Sequence, residues 1–193
     1  MSLSEDGRLI SQIRQGNILA LKALYEKYRS QVYRTALAIT RDREAAEDIL
    51  QDCFIKVYIH IDKLDGSRPL SPWLYRVAVN QSYNWASKRR RWLQPLEEVI
   101  DRLVAGPHTL PESVLERGEL QRVVQKAIAS LSFEHRVVIV LFYLNGFHLN
   151  EIAYILDCPV GTIKSRLHYA RRNLRRKLER DKHLAPEVAY EFS

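Results

Sequence analysis

The sequence predicts an all-α protein with two small helical domains joined by a linker. Apolar residues recur at spacings of three and four along most of the chain, which is the period of an amphipathic helix. Glycine and proline are sparse, with 7 of each among 193 residues. The helical pattern fails over a long stretch between Gln94 and Pro111, where Pro95, Gly106 and Pro107 interrupt it. Because 46% of the residues are apolar and 27% are charged, the chain can bury one or two small cores.

The first domain, residues 1–93, is predicted to contain four helices. They are expected at Glu5–Gln15, at Ile18–Thr40, from the N-cap Asp42 to about Ile61, and from Ser71 onward. A loop from Leu64 to Pro69 is indicated by its glycine, serine and proline. These helices place most of their aliphatic and aromatic side chains on one stripe, so they are expected to enclose one core.

Charged and polar residues form a second stripe on the third helix. Asp48, Gln51, Asp52 and Lys56 fall at i, i+3, i+4 and i+8, which places them on one exposed face. Their spacing alone is compatible with an ordinary solvated surface. The alternative is a docking surface for a basic protein partner.

Aromatic and basic residues alternate along the fourth helix. Asn80, Tyr83 and Asn84 are expected on its wetter face, and the run from Lys88 to Arg91 follows. Rings that stack on bases and cations that follow phosphates suit single-stranded nucleic acid. An amphipathic helix with a basic end explains the same residues, and the pattern does not decide between the two.

The linker is predicted at residues 94–111, the second domain at 112–182 and a short tail at 183–193. Helices are expected from Glu112 to about Leu131 and, capped by Ser132, from Phe133 to Asn145. Asn145 and Gly146 form a helix-ending pair.

A helix-turn-helix is predicted next. Leu149, Ile152, Ala153 and Leu156 share one face of a short helix, and Asp157 tolerates the left-handed conformation that ends it. Pro159 suits the start of the second helix. That helix has an apolar stripe consisting of Val160, Ile163, Leu167, Ala170, Leu174 and Leu178. Its opposite face is polar and basic and consists of Thr162, Lys164, Ser165, Arg166, His168, Tyr169, Arg171 and Arg172. Such a face can read a DNA major groove or can simply be solvated.

Overall charge and residue content narrow the class of protein. A formal net charge of +7 favours a polyanionic partner. Cys53 and Cys158 are too few for a disulfide framework and are expected to be buried. The sequence contains no phosphate-binding loop, nucleophile elbow or metal-ligand cluster, so neither an enzyme nor a cofactor or metal site is predicted. Neither a signal peptide nor a transmembrane run is recognisable, which predicts a cytoplasmic protein that does not insert into membranes.

Three segments, in this order, resemble the bacterial sigma factors of the extracytoplasmic-function (ECF) group within the sigma-70 family. Residues Ala46–Lys56 are similar to the segment that binds core RNA polymerase. Residues Pro72–Asn80 are similar to the promoter-melting segment. Residues Leu131–Leu174, which include Glu151–Ala153 and Pro159–Leu167, are similar to the domain that reads the −35 element. The resemblance covers nearly the whole chain and implies a factor that directs core polymerase to promoters.

The resemblance also implies roles for individual residues. Contact with the clamp helices of the largest polymerase subunit is implied for Asp48, Gln51, Asp52 and Lys56. Recognition and melting of the −10 element is implied for Leu64, Arg68, Asn80, Tyr83, Lys88, Arg89, Arg90 and Arg91. Contact with the −35 element is implied for Thr162, Lys164, Ser165, Arg166, Tyr169 and Arg171. The implied partners are core polymerase, including its flap, promoter DNA and an anti-sigma factor.

Two other functions remain open on the residues alone. A free-standing helix-turn-helix regulator would bind duplex DNA as a dimer and would use the first domain for dimerisation. An RNA-binding helical protein would show no preference for duplex DNA. The acidic third helix and the aromatic, basic fourth helix favour the sigma factor, because a repressor needs neither.

Overall fold

The computed structural model describes residues 4–93 and 124–179, with the side chains of residues 90–93 left out. All regular structure in these residues is helical, as the sequence predicts. The expectations for the linker at 94–111, for a helix over residues 112–123 and for the tail at 183–193 lie outside the described residues. Within the described part of the chain, no helix is long and apolar enough to cross a bilayer.

The N-terminal domain has the four predicted helices. They are α1 (Glu5–Arg14), α2 (Ile18–Thr40), α3 (Arg43–Ile59) and α4 (Ser71–Leu93), with a 3₁₀ turn at Ile61–Lys63. Side chains cap the first three helices: Ser4 accepts from the Gly7 N–H, Asn17 from the Leu19 N–H, and Asp42 from the Ala45 N–H. These caps satisfy backbone donors that a helix start leaves unpaired.

The core of this domain is built from the predicted stripes. Leu24, Val32, Ile49, Cys53 and Leu74 are completely or almost completely buried within it. Burial raises the pKa of the Cys53 thiol to about 12, so Cys53 behaves as a small apolar residue rather than a nucleophile. The expectation for Cys53 is therefore confirmed, whereas Cys158 is only partly buried.

The C-terminal domain begins, within the described residues, with a helical segment at 124–129, here α5. Three helices follow: α6 (Phe133–Ile139), α7 (Leu149–Leu156) and α8 (Val160–Glu179). The prediction of one α-helix from Phe133 to Asn145 is wrong, because the chain widens into a π-helical turn at Val140–Leu144. In this wider turn the Asn145 N–H donates to the Val140 carbonyl, and the Leu144 side chain is exposed.

The helix-turn-helix is confirmed. Asp157 lies between α7 and α8 with a φ of 51°, the left-handed conformation that ends α7. Pro159 directly precedes α8, and its carbonyl accepts from the N–H groups of Thr162 and Ile163. The predicted stripe of α8 is buried from Ile163 to Leu178, and only Val160 at its start is partly exposed.

The two domains share a core, which the sequence does not predict. Ile39 on α2 and Tyr75 and Val79 on α4 pack with Val138 and Phe147 of the C-terminal domain. The α4 helix therefore has two buried faces, one towards its own domain and one towards α7. Because a periodicity shows that a face is apolar but not what covers it, the sequence predicts only a single core for the N-terminal domain.

Candidate nucleic-acid interface and docking surface

Helix α8 presents the polar face that the sequence predicts for DNA contact. Lys164, Ser165 and Tyr169 are exposed on it, together with His168 and Arg172. The periodicity predicts His168 and Arg172 on this face, but the family resemblance does not imply that they contact the −35 element. The rings of His168 and Tyr169 pack edge to face, 5.5 Å apart. The positive end of the α8 dipole lies at the same end of the face as Lys164.

Three of the predicted −35 residues are less accessible. Thr162 is half-buried, and Arg166 forms an ion pair with Glu134 on α6 at 3.0 Å. The Arg171 guanidinium lies over the rings of Phe142 and Tyr143, 5.2 and 5.5 Å from their centroids. The expectation that Arg171 points away from the packed side of α8 is therefore wrong, because the π-helical turn brings both rings beside it.

The basic end of α4 is exposed, but its central tyrosine is not. Asn80, Lys88 and Arg89 are exposed, and Arg89 pairs with Asp42 at 3.2 Å. Tyr83, predicted to be on the wetter face, is half-buried and packs edge-on against Phe133 of the C-terminal domain, 4.8 Å between centroids. Burial raises the pKa of Tyr83. The helical backbone of α4 includes Arg90 and Arg91, whose side chains lie outside the description.

Two charged residues of α1 anchor the loop that precedes α4. The Arg14 guanidinium donates to the carbonyls of Ile61 and Leu64, and Asp6 accepts from the Leu70 N–H at 3.1 Å. Leu64 is buried, whereas Arg68 is exposed and pairs with Asp65 at 3.2 Å. Of the two predicted loop residues, only Arg68 is therefore available to a ligand in this conformation. The sequence does not identify Asp6 and Arg14 as anchors, because nothing local distinguishes them from other charged residues of a surface helix.

Asp6 is a buried carboxylate at the centre of this anchor. It is only 5% exposed, and it accepts hydrogen bonds from the Tyr28 hydroxyl and the Lys27 ammonium, both at 2.7 Å, and from the Leu70 N–H. Burial opposes its charge, but these hydrogen bonds outweigh burial and lower the pKa of Asp6 below its ordinary value of 3.8. Burial, together with the hydrogen bond to this carboxylate, raises the pKa of the Tyr28 hydroxyl.

Asp6 should make the stability of the protein depend on pH in acid. Because its pKa is lower in the folded than in the unfolded chain, the unfolded chain takes up the proton first as pH falls. The stabilisation is complete above the ordinary aspartate pKa and is lost as pH falls through the lower folded value. Urea unfolding measured from neutral pH down to about pH 2 should show that the free energy of unfolding falls less steeply with pH for Asp6→Asn than for the wild type. Equal slopes for the two proteins would contradict the assignment.

A mixed acidic and apolar face lies along α3. Asp48 and Gln51 are exposed, and on the same side of the helix so are Ile55, Tyr58 and Ile59, at 54%, 61% and 64%. We call these five residues the α3 face. Exposed aliphatic and aromatic side chains next to carboxylates are typical of protein interfaces rather than of a solvated surface. The periodicity did not single out the three apolar residues, because nothing in it distinguishes an exposed isoleucine from a buried one.

The other two predicted docking residues lie at the edge of the α3 face. Asp52 and Lys56 are half-buried, and Asp52 accepts a hydrogen bond from the Gln81 side chain on α4. Asp52 therefore also joins α3 to α4. Lys56 instead lines a groove of about 700 Å³ with Trp73 and, from the C-terminal domain, Tyr154.

Comparison with known protein families finds two matches, one in each domain. The family described as Sigma-70 region 2 matches residues 24–92, and Sigma-70, region 4 matches residues 127–176. The chain is 33% identical over 181 residues to the ECF RNA polymerase sigma factor SigW of Bacillus subtilis, covering 88% of this chain and 94% of SigW. It is 32% identical over 184 residues to the ECF sigma-E factor of Haemophilus influenzae, covering 90% and 95%.

A solved structure is similar over the same length. The sigma factor RpoE in complex with the anti-sigma factor NepR, from Bartonella quintana, superposes with a TM-score of 0.63 at 27% identity, covering 89% of this chain and 99% of RpoE. A match to region 2 over α2–α4, in addition to the helix-turn-helix, does not favour a free-standing regulator. The chain belongs to the ECF sigma factors, which are transcription initiation factors that direct RNA polymerase to promoters.

Proposed function

We propose that this chain binds core RNA polymerase through the α3 face, reads the −35 element with α8 and opens the −10 element with α4 and its preceding loop. The observation that supports this most is the exposed polar face of α8 in a chain that also has an acidic and apolar docking face. Binding energy alone opens the DNA duplex, so the factor needs no catalytic group. We place it in the cytoplasm, where RNA polymerase acts.

The α3 face is suited to a basic helical partner. Asp48 offers a carboxylate to arginine or lysine side chains, while Ile55 and Ile59 lie about two and three turns further along the same side of the helix. Burying the apolar residues stabilises the complex by about 25 cal/mol per Å², and the carboxylate sets the register. We assign the clamp helices of the largest subunit to this surface and the polymerase flap to the C-terminal domain.

The centre of the exposed arc of α8 is where bases should be read. Lys164, Ser165, His168 and Arg172 follow one another at helical spacing along that arc. Gly161 lies at its start, where no atom is within 4 Å of the position a Cβ would take, so the DNA backbone can approach closely. Thr162 and Tyr169 border the arc, and Arg166 joins it after leaving Glu134. We reassign Arg171 to packing.

Melting of the −10 element is assigned to the exposed part of α4 and the loop. Asn80 and Arg68 offer hydrogen bonds to an extruded base, and Lys88 and Arg89, with Arg90 and Arg91, follow the phosphates. Flipping a base requires only a few kcal/mol, and stacking on an aromatic ring returns about 1–3 kcal/mol, so nucleotide hydrolysis is unnecessary. Tyr83 is the ring proposed for stacking, which requires that it leave its edge-on contact with Phe133.

An anti-sigma factor is proposed as a further partner. RpoE, which is similar to this chain in fold and sequence, has been solved with the anti-sigma factor NepR. The groove lined by Lys56, Trp73 and Tyr154 and the α3 face are the apolar surfaces that such a protein would cover.

Run-off transcription tests the proposed function. Purified core polymerase is incubated with and without the chain on a library of promoter-like templates. We expect defined transcripts only when the chain is present, and the enriched templates give the recognised sequence. Absence of both transcripts and co-purification with core polymerase would overturn the proposal.

Arg172→Ala should weaken binding to the −35 element at a particular base. Loss of one side chain that reads a base costs about 1–3 kcal/mol, which is about 5- to 150-fold in affinity. Fluorescence anisotropy with a −35 duplex and single-base variants measures the effect. Lys22→Ala, which removes an exposed cation from the other domain, is the charge-matched control. Equal weakening on every duplex would instead assign Arg172 to phosphate.

A further inference from the structure

Helix α1 contacts the loop that precedes α4 at its start, at its tip and at its end. We call this loop, residues 61–70, the −10 loop, after the role proposed for it. At its end, the Leu70 N–H donates to the buried carboxylate of Asp6. At its start and tip the contacts come from Arg14 and Gly7.

Arg14 binds three backbone carbonyls at the start of the −10 loop. Its Nε donates to the Ile61 carbonyl at 3.1 Å, and its Nη2 donates to the carbonyls of Asp62, at 3.4 Å, and Leu64. These carbonyls follow the C-terminus of α3, where the helix dipole leaves partial negative charge. Because carbonyl oxygens that converge repel one another, the turn should relax when the guanidinium is removed.

The tip of the −10 loop lies on the backbone of α1. A Cβ at Gly66 would lie 3.4 Å from the Gly7 Cα and 3.6 Å from the Gly7 carbonyl oxygen. Gly66 does not have a positive φ, so its use here is the close approach rather than an unusual backbone conformation. A methyl group at this position would just touch α1, and a larger side chain would press the loop away from it.

The tip carries polar groups on its outer side. Asp65 accepts from the Ser67 N–H at 2.9 Å and from the Ser67 hydroxyl at 2.6 Å, and it pairs with Arg68 at 3.2 Å. These three residues are exposed, whereas Leu64 and Leu70 on either side of them are buried. The exposed groups therefore lie on a turn whose position is set by α1 and by the core.

A turn with a fixed position can distinguish bases better than a mobile one. Discrimination requires donors and acceptors placed where one base pairs with them and another leaves them unpaired. A loop that moves can adapt to several bases and loses that difference. Its charge is unchanged, so its general attraction to the DNA strand remains.

We propose that α1 is part of the −10 site and that Arg14 is a positioning residue for base selection there. Arg14 itself contacts no base; it acts through the carbonyls that fix the −10 loop. The inference rests on the proposed function, because it concerns the extruded base that this loop and Asn80 would hold. It assigns to α1 the choice of base at −10, and not the overall strength of DNA binding.

Amide hydrogen exchange in the free chain tests the anchoring without DNA. We expect the Leu64 amide to exchange about tenfold faster or more in Arg14→Ala than in the wild type, because the loop opens locally more often. Arg14→Lys satisfies the carbonyls only in part and should lie between the two. Arg8→Ala removes another exposed cation of α1 and should leave the rate unchanged. An unchanged rate in Arg14→Ala would overturn the inference.

Base selection is measured with the full chain bound to core polymerase. Fork probes carry the −35 element as a duplex and the −10 element as a single strand, and each −10 base is replaced in turn. We expect the wild type to prefer a particular base, and Arg14→Ala to reduce this preference about fivefold or more. Arg14→Lys should restore part of the preference, and Arg8→Ala should retain all of it.

Binding to the −35 duplex alone controls for the fold. Arg14 is exposed, so its removal should leave the domain folded, and affinity for this duplex should stay within about twofold of the wild type. Gly66→Val tests the same anchoring from the loop side, because its side chain presses against the Gly7 backbone. It should also reduce the base preference, and Gly66→Ala should do so less.

The outcomes separate the inference from the function on which it rests. If the wild type itself shows no base preference at −10, the proposed role of the loop fails, and base selection by α1 fails with it. If the wild type shows a preference that Arg14→Ala retains in full, the function stands and the inference is overturned. Equal weakening for every base in Arg14→Ala, but not in Arg14→Lys, would assign Arg14 to a phosphate and would also overturn it.

Discussion

Asp48→Arg is expected to abolish binding to core RNA polymerase while leaving the fold intact. Asp48 is exposed on the α3 face and has no role in the core, so reversing its charge should not change the thermal midpoint. At the interface, the new arginine would face a basic partner without a counter-ion, and like charges in contact cost several kcal/mol. Co-elution with core polymerase in size-exclusion chromatography measures the loss, with run-off transcription as the functional readout.

Glu26→Arg is the matched control for this variant. Glu26 is also exposed on the N-terminal domain, but it lies on α2, and its ion pair in the described part of the chain is with Arg29 on the same helix. We expect it to bind polymerase normally. Ile55→Asn, which keeps the charge and removes one apolar contact of the α3 face, should weaken the complex partially. Unchanged co-elution of Asp48→Arg would remove α3 from the docking assignment.

Asp52→Arg is a less clean test of the same surface. Asp52 accepts a hydrogen bond from Gln81, so an arginine there also disturbs the contact between α3 and α4. A loss of polymerase binding by this variant would not distinguish a lost docking contact from a local change in α4. Asp48 is therefore the better position for the test.

Asp6→Ala is expected to lower the free energy of unfolding by about 3 kcal/mol. The substitution leaves the buried Tyr28 hydroxyl and the Leu70 N–H without an acceptor, and each buried unsatisfied group costs about 1–3 kcal/mol. It also frees the loop that we assign to the −10 element, since Leu70 is the last residue before α4. Urea unfolding followed by circular dichroism gives the change in stability.

Glu5→Ala is the neighbouring control. Glu5 pairs with the same Lys27 but is exposed, and surface pairs contribute less than about 1 kcal/mol. If Asp6→Ala changed stability no more than Glu5→Ala, Asp6 would not be the anchor of the loop. A stable Asp6→Ala protein that still melted promoters normally would likewise separate α1 from the function of the loop.

Most of the helices could be predicted because their signals are local. Asp42 and Ser132 cap the helices that they are predicted to cap, and Asp157 adopts the conformation that the helix-turn-helix requires. Apolar spacing also identified the buried stripe of α8. The π-helical turn at Val140–Leu144 could not be predicted, because its apolar residues read equally well as a regular α-helix.

The candidate surfaces were predicted less completely. The spacing of Asp48 and Gln51 identified the acidic part of the α3 face, but not Ile55, Tyr58 and Ile59, whose exposure depends on the absence of a neighbour. Arg171 belongs to the same helix face as Lys164 by periodicity, yet two rings from the π-helical turn that follows α6 lie beside it. Each of these differences arises where a second element either covers a side chain or leaves it bare.

By itself, the sequence determined the all-α class, the helix-turn-helix and the family, since caps, periodicity and motif strings depend on residues close together in the chain. Only the tertiary structure decided that Asp6 and Arg14 hold the loop before α4 and that Tyr83 is covered by Phe133. Those contacts connect residues about 50 or more positions apart, or residues in different domains. Their energies depend on burial and on partner geometry, which no local pattern encodes.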